Sequence, residues 1–89
     1  MNIIHDEGKG FYIYGETKKI LAELNYKKVN DVLIVDHTEV SEDLKGQGIA
    51  GKLFSELIKY VRENNYKIDP VCSYIEKKMQ KSEYDNLKI

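Results

Sequence analysis

The sequence contains little that would serve a disulfide, a metal site or a membrane segment. It has one cysteine, Cys72, so no intrachain disulfide can form, and with only two histidines it offers few ligands for a structural zinc site. No apolar run approaches the roughly 20 residues needed to span a bilayer. The polar first ten residues lack the apolar stretch of a secretory signal. We therefore expect a cytoplasmic protein without a bound metal or a membrane partner.

Neither sign of charge is in excess. The chain has 14 Lys and Arg against 15 Asp and Glu, a formal net charge of -1. Nucleic-acid binding needs a basic surplus on one face, so nucleic acid is not an expected partner. Hydrophobic residues make up 42% and charged residues 33% of the 89 positions, which is typical of a globular chain with one modest core. With no repeat or linker, the sequence predicts a single domain over residues 1–89.

The first half of the chain has the patterns of β-strands. Apolar and polar residues alternate with a period of two between Ile20 and Lys27, which indicates a strand with one buried face. Val32 begins a continuous apolar run that is typical of a central strand covered on both sides. Short turns separate these segments. We therefore expect an antiparallel meander of strands near residues 9–15, 18–28 and 31–40.

The second half changes to a helical period. Apolar residues recur every three or four positions between Ile49 and Val61, which predicts a helix over about 48–64. A short strand near 66–69 should follow and stop at Pro70, and a second helix should occupy 73–81, with one further helical turn in the tail. Strand, helix and strand form a βαβ unit with a right-handed crossover. The predicted fold is α/β, with an α+β mixed sheet: a meander, a βαβ unit and a C-terminal helix.

Residues 44–51, with the sequence LKGQGIAG, lie between the central strand and the long helix. The first amides of a helix have no intrahelical partner and lie at the positive end of its dipole. Glycines let an anion such as a pyrophosphate approach that backbone closely. A glycine-rich turn that only starts the helix is the structural alternative. The Walker pattern does not match, because Gly51-Lys52 is followed by leucine instead of serine or threonine. The dinucleotide fingerprint does not match either, because it needs three glycines in a different order and an early first strand.

The pattern Lys45-x-x-Gly48-x-Ala50 resembles the acetyl-CoA loop of GNAT acetyltransferases, Gln/Arg-x-x-Gly-x-Gly/Ala, with lysine in the first position. Together with the segments His37-Thr38-Glu39-Val40 and Pro70-Val71-Cys72-Ser73-Tyr74, it is similar to a group of very small, stand-alone GNAT-like proteins. The resemblance implies a minimal GNAT-like fold and an acetyltransferase that uses acetyl-CoA and an unidentified amine acceptor. The first helices of a full-length GNAT, which usually shape the acceptor site, are missing.

The resemblance also implies roles for individual residues. The pantetheine arm would pair with the backbone of Thr38, Glu39 and Val40. Cys72 would lie near the thioester, either taking the acetyl group or only lining the site. The expected pyrophosphate loop comprises Lys45, Gly46, Gln47, Gly48, Ile49 and Ala50.

Proton transfer has several candidates. His37 and Glu39 lie two apart on one strand, so they face the same side, and either could act as the general base. Tyr74 or Tyr84 could protonate the departing CoA thiolate. These side chains, and that of Cys72, could instead have only a structural role, because cysteines, strand histidines and most tyrosines are usually packing or surface residues.

The sequence is also compatible with two other functions. One is a noncatalytic module that binds or senses acyl-CoA. The other is a small α/β interaction protein whose glycine loop is structural. The sequence does not indicate the oligomeric state or the acceptor.

Overall fold

The computed structural model describes residues 2–89 and contains a five-stranded sheet in the order β1-β2-β3-β4-β5. The first four strands pair antiparallel, and β5 pairs parallel with β4. The strands and helices are β1 Ile4–Asp6, β2 Gly10–Tyr14, β3 Ile20–Val29, β4 Val32–Val40, α1 Ile49–Asn64, β5 Lys67–Pro70 and α2 Ser73–Lys78. Short 3-10 helices occupy Glu16–Lys18, Glu42–Leu44 and Ser82–Leu87. The predicted α/β class, the meander and the βαβ unit are confirmed.

Four details of the prediction are wrong. Strand β1 was not expected. The helix α2 ends at Lys78 rather than at 81, because the Gln80 amide bonds the Lys77 carbonyl three residues back, at 3.3 Å, and tightens the turn. Pro70 is the last residue of β5 rather than the residue that stops it, as an edge strand tolerates a missing amide. Finally, Ile34 is only half-buried, so β4 is not covered on both sides.

The core lies between one face of the sheet and the helix α1. The α1 residues Leu53, Leu57 and Val61 are fully buried, as are Leu24 and Leu33 on the strands. The helical period of these apolar residues places them on one stripe, which is why the helix packs along the sheet. The helix therefore holds its N-terminus at a fixed position beside the end of β4.

The two central strands, β3 and β4, contain a β-bulge. Asn25 is paired with His37, but the next residue, Tyr26, is paired with Val35, so Asp36 is an extra residue on β4. Before the bulge, the even-numbered residues of β4 direct their backbone amide and carbonyl groups toward β3. After the bulge, the odd-numbered residues do so. The bulge also lies one residue beyond Val35, where the pairing of β4 with β5 ends.

Candidate active site

Among the residues that the structure describes, the turn before α1 leaves a row of backbone amides without partners. Gly46 and Gly48 have φ angles of +82° and +70°, in the left-handed region that favours glycine. The Lys52 amide donates the first helical hydrogen bond, to the Gly48 carbonyl at 3.1 Å. Within residues 2–89, the amides of residues 46–51 donate to no carbonyl and no side chain. They remain available to an anion at the positive end of a 16-residue helix.

A cavity of about 210 Å³ lies against this turn. A Cβ atom added to Gly46 or Gly48 would meet no atom within 4 Å, so this side of the turn is open. The helix has no acidic side chain in its first turn that would repel an anion. The cavity is lined by Val40, Leu44, Lys45, Gly46, Gly48, Ile49, Ala50, Gly51 and Tyr74. It therefore joins the predicted pyrophosphate loop to the end of β4 and the start of α2.

Lys45 lies at the edge of this turn, where its Nζ is 2.8 Å from Glu42 Oε1. The hydrogen bond to Glu42 raises the pKa of the Lys45 ammonium, so the group is charged at neutral pH. The ion pair is fully exposed, and exposed pairs of this kind are weak. Lys45 can therefore exchange Glu42 for a phosphate without a large cost.

One edge of β4 is open beyond the bulge. The ladder to β5 covers only Val32 to Val35 and is closed by the Cys72 amide, which donates to the Val35 carbonyl at 2.8 Å. On the other edge, the Ser41 amide donates to the Leu21 carbonyl at 2.7 Å. Because such bonds alternate along an antiparallel pair, odd-numbered residues of this part of β4 bond to β3. The amide and carbonyl of Thr38 and Val40 consequently face the open edge.

This alternation divides the three predicted pantetheine contacts into two groups. Thr38 and Val40 present backbone groups to the open edge between β4 and the diverging chain after β5. Glu39 is directly opposite Glu23, and its backbone groups are directed toward β3. The open edge runs from the bulge toward the turn at residues 44–51.

Cys72 lies beside this open edge. It immediately precedes α2 and has a free, half-buried thiol whose Sγ is 3.6 Å from Thr38 Oγ1. Tyr74 follows two residues later and lines the cavity at the turn. Burial raises the pKa of the Tyr74 hydroxyl, and the nearby Cys72 raises it further. Tyr74 therefore keeps its proton at neutral pH, as a proton donor must.

His37 and Glu39 share one side of β4, as predicted, and Thr38 between them points to the opposite side. His37 Nε2 is 3.2 Å from Glu39 Oε1, and the two side chains are 51% and 68% exposed. The strand therefore separates a thiol side, with Cys72 and Thr38, from a side that carries a histidine and a carboxylate.

Glu23 is a member of this second group that sequence reasoning missed. It lies opposite Glu39 on β3, and ligand atoms of Glu23, His37 and Glu39 all lie within 4.8 Å of one another. Two carboxylates and an imidazole at this spacing can hold a cation, either a metal ion or an ammonium group. Only the strand register brings Glu23 here, and the bulge at Asp36 sets that register.

The family model for GCN5-related N-acetyltransferases matches residues 10–87 of the chain. The chain belongs to the GCN5-related N-acetyltransferase family. Members of this family, abbreviated GNAT, are enzymes that use acetyl-CoA as the acetyl donor. The match confirms the resemblance to GNAT acetyltransferases that the sequence showed.

Solved structures agree with the GNAT assignment. A GCN5-like protein from Staphylococcus aureus, determined by NMR, has 35% identity and a TM-score of 0.74, with 99% of this chain and 87% of that chain covered. Two longer proteins share the fold. An acetyltransferase from Bacillus cereus has 21% identity and a TM-score of 0.57, covering 73% of this chain and 51% of that one. A ribosomal-protein-alanine N-acetyltransferase from Brucella melitensis has 17% identity and a TM-score of 0.59, covering 85% and 63%.

A sequence comparison with curated proteins gave no match. Across residues 2–89, the GNAT chain has no helix with the length and apolar character that crossing a membrane requires.

Proposed function

We propose that this GNAT protein transfers the acetyl group of acetyl-CoA to an amine at the open edge of β4. The observation that carries the proposal is the divergence of β4 and the chain after β5 directly beside a turn with unpartnered amides. These two features supply, side by side, a place for an extended amide-containing chain and a place for a doubly charged phosphate group.

The pyrophosphate would lie over the amides of residues 46–50. Those amides have no hydrogen-bond partner within residues 2–89, and the helix dipole adds a favourable field. The absence of a side chain at Gly46 and Gly48 allows the phosphate oxygens to reach the backbone. Lys45 would contribute a charge contact from the rim after leaving Glu42, and this contact should weaken as salt rises.

The pantetheine arm would continue along β4 as an additional strand. Its two amide groups can bond the backbone groups of Thr38 and Val40 on the open edge, where the bulge leaves them unpaired. This path leads from the pyrophosphate toward Cys72. The thioester would then lie between the thiol side and the histidine side of the strand.

Two chemical routes are consistent with this arrangement. In the first, the amine attacks the thioester carbonyl carbon, His37 or Glu39 removes a proton from the attacking nitrogen, and the carbon–sulfur bond breaks. In the second, the Cys72 thiolate attacks the thioester carbonyl carbon and the bond to the CoA sulfur breaks, which leaves an acetyl-cysteine. The amine then attacks the acetyl-cysteine, His37 or Glu39 removes a proton from its nitrogen, and the Cys72 thiolate leaves. In both routes CoA leaves as a thiolate, which Tyr74 can protonate.

The carboxylates of Glu23 and Glu39 support a cationic acceptor. An amine is an ammonium ion at neutral pH, and it must bind before it loses its proton. Two glutamates facing each other across neighbouring strands repel one another, and a bound ammonium relieves this repulsion. The acceptor would therefore approach from the side of the strand opposite the thiol.

The experiment combines acetyl-CoA binding, amine-dependent turnover and intact-protein mass spectrometry for the wild type, Cys72→Ala and Cys72→Ser. The proposal expects calorimetric binding of acetyl-CoA in all three proteins and turnover with at least one amine class. One added acetyl group on Cys72 selects the covalent route, and normal turnover by Cys72→Ala selects direct attack. Binding without turnover across small amines, polyamines and peptides would instead favour a noncatalytic acyl-CoA-binding module.

A further inference from the structure

Three potential metal ligands converge on the side of the sheet opposite the thiol. Glu23 on β3 is directly opposite Glu39 on β4, and His37 lies two residues before Glu39 on the same side of that strand. One ligand atom from each residue lies within 4.8 Å of the other two. His37 Nε2 and Glu39 Oε1 are 3.2 Å apart. The register of the two strands therefore directs an imidazole and two carboxylates at one small volume.

The two carboxylates of this cluster have no lysine or arginine partner within residues 2–89. A cavity of about 180 Å³ borders Glu23 and Glu39, and Lys19 lines it as well, but its ammonium forms no ion pair with either glutamate. Glutamates directly opposite each other on neighbouring strands repel one another. A cation bound between them would relieve this repulsion, and the cavity gives water access to the bound cation.

The donor set suits a transition-metal ion. An imidazole nitrogen with two carboxylates is a ligand set for zinc and its neighbours, whereas magnesium and calcium prefer oxygen ligands alone. Zinc binds such ligands at about 2.0–2.2 Å, so neighbouring ligand atoms around a tetrahedral ion lie about 3.4 Å apart. The distance of 3.2 Å between His37 and Glu39 already has this spacing. The exposed Glu39 and half-buried Glu23 can rotate to complete the site.

We propose that Glu23, His37 and Glu39 bind a divalent transition-metal ion, with zinc as the best match. The ion replaces the proton on His37 Nε2, and the neutral ring keeps its one proton on Nδ1. Three protein ligands leave a coordination position for water. The few cysteines and histidines of the chain argue against a closed structural site, but this open site needs only one histidine.

The bound ion regulates the acceptor site. This consequence rests on the proposed function, in which His37 or Glu39 is the general base and the glutamates bind the acceptor ammonium. A metal ion takes the His37 lone pair and lies where the ammonium must lie, so the amine and the ion exclude each other. The amides of residues 46–50 lie outside the cluster, and the affinity for acetyl-CoA does not change.

Calorimetric titration with zinc chloride in a non-chelating buffer tests the site. Glu23→Gln/Glu39→Gln keeps the size of both side chains and should weaken zinc binding by more than about tenfold, because even the outer-shell partners of metal ligands contribute about 10–100-fold. His37→Gln should weaken it similarly. The control Glu63→Gln/Glu83→Gln removes the same charge from exposed positions outside the cluster and should keep the wild-type affinity.

Two further measurements locate the ion and its effect. Zinc should shift the ring-nitrogen NMR signals of His37 and leave those of His5, which bonds the Tyr26 hydroxyl, unchanged. Cys72→Ala should keep the zinc affinity, because the thiol lies on the other side of β4. In turnover assays, excess amine should overcome zinc inhibition, whereas excess acetyl-CoA should not.

The outcomes separate this inference from the proposed function. Wild-type zinc affinity in Glu23→Gln/Glu39→Gln, or an equal loss in the control, would overturn the metal site. Loss of zinc binding in Cys72→Ala would also overturn it, because the thiol would then be the ligand. Inhibition that excess amine does not relieve would overturn the competition. Zinc binding at the cluster of a protein that acetylates no amine would uphold the metal site and overturn the proposed function.

Discussion

Replacing Gly48 tests the proposed binding of the pyrophosphate at the turn before α1, because strain and steric exclusion can be separated there. Gly48 has φ +70°, and an added Cβ would meet no protein atom within 4 Å. Gly48→Ala should therefore cost only the strain of a left-handed residue, about 1–2 kcal/mol of unfolding free energy. For a domain of this size, that lowers Tm by about 4–8 °C for each kcal/mol. The folded protein should persist.

Acetyl-CoA binding should weaken as well, for a separate reason. In the free protein the Cβ would project into empty space at the turn, where the pyrophosphate is proposed to lie. We expect Gly48→Ala to weaken acetyl-CoA binding by about tenfold or more, equivalent to about 1.4 kcal/mol, and Gly48→Val to weaken it further. Gly48→Asn should recover part of the stability, because asparagine tolerates the left-handed region, yet should still bind poorly.

Gly8 provides the matched control for this experiment. It also has a positive φ, +89°, and open space around an added Cβ, but it lies in the turn before β2. Gly8→Ala should lose similar stability and keep full acetyl-CoA affinity. Calorimetry and thermal unfolding of the four variants measure both quantities. Wild-type affinity in Gly48→Val, or an equal loss of affinity in Gly8→Ala, would refute the reasoning.

Three further predictions concern stability. Gly51→Ala, inside α1 with no atom within 4 Å of the added Cβ, should raise the unfolding free energy by about 0.5–1 kcal/mol in urea denaturation, and a loss would contradict the helical environment. Leu53→Ala should lower it by about 2.7–5 kcal/mol, since the side chain is fully buried; a change below about 1 kcal/mol would argue against this core. Burial lowers the pKa of His5 below 6.5, so the folded state favours neutral histidine. Neutral His5 therefore contributes to the free energy of unfolding above pH 6.5, and this contribution is lost as the pH falls through the lowered pKa. In His5→Phe, the free energy of unfolding should fall less steeply with decreasing pH. An unchanged pH dependence of the unfolding free energy would exclude this role.

The sequence pattern predicted the elements whose residues show a clear hydrophobic period. The apolar period between Ile49 and Val61 gave α1 nearly to the residue. Strand β1 was not predicted because its three residues, Ile4, His5 and Asp6, are mostly exposed and show no clear alternation of apolar and polar residues. Contacts far along the chain stabilise it: the His5 ring stacks on Phe11 at 4.1 Å between centroids, and its Nε2 is 2.7 Å from the Tyr26 hydroxyl.

The candidate site also has parts that the local sequence predicts and parts that depend on strand pairing. The turn at residues 44–51 could be predicted because glycines and a following helix are adjacent in sequence. Glu23 could not, because its position opposite Glu39 depends on pairing between strands and on the extra residue Asp36. The open backbone of Thr38 and Val40 has the same origin, since the bulge determines which amides face β3. Register is set by tertiary packing and not by the local pattern alone.

The most direct test of the central claim is a titration of the 15N-labelled protein with acetyl-CoA, followed by amide NMR shifts. The account predicts that the largest shifts occur at the amides of residues 46–51, at Thr38 and Val40 on the open edge, and at Cys72. The amide shifts of β1, Ile4–Asp6, should stay unchanged, because this strand lies at the other edge of the sheet. Saturating shifts confined to other parts of the sheet, or no shifts at millimolar acetyl-CoA, would contradict the proposed site.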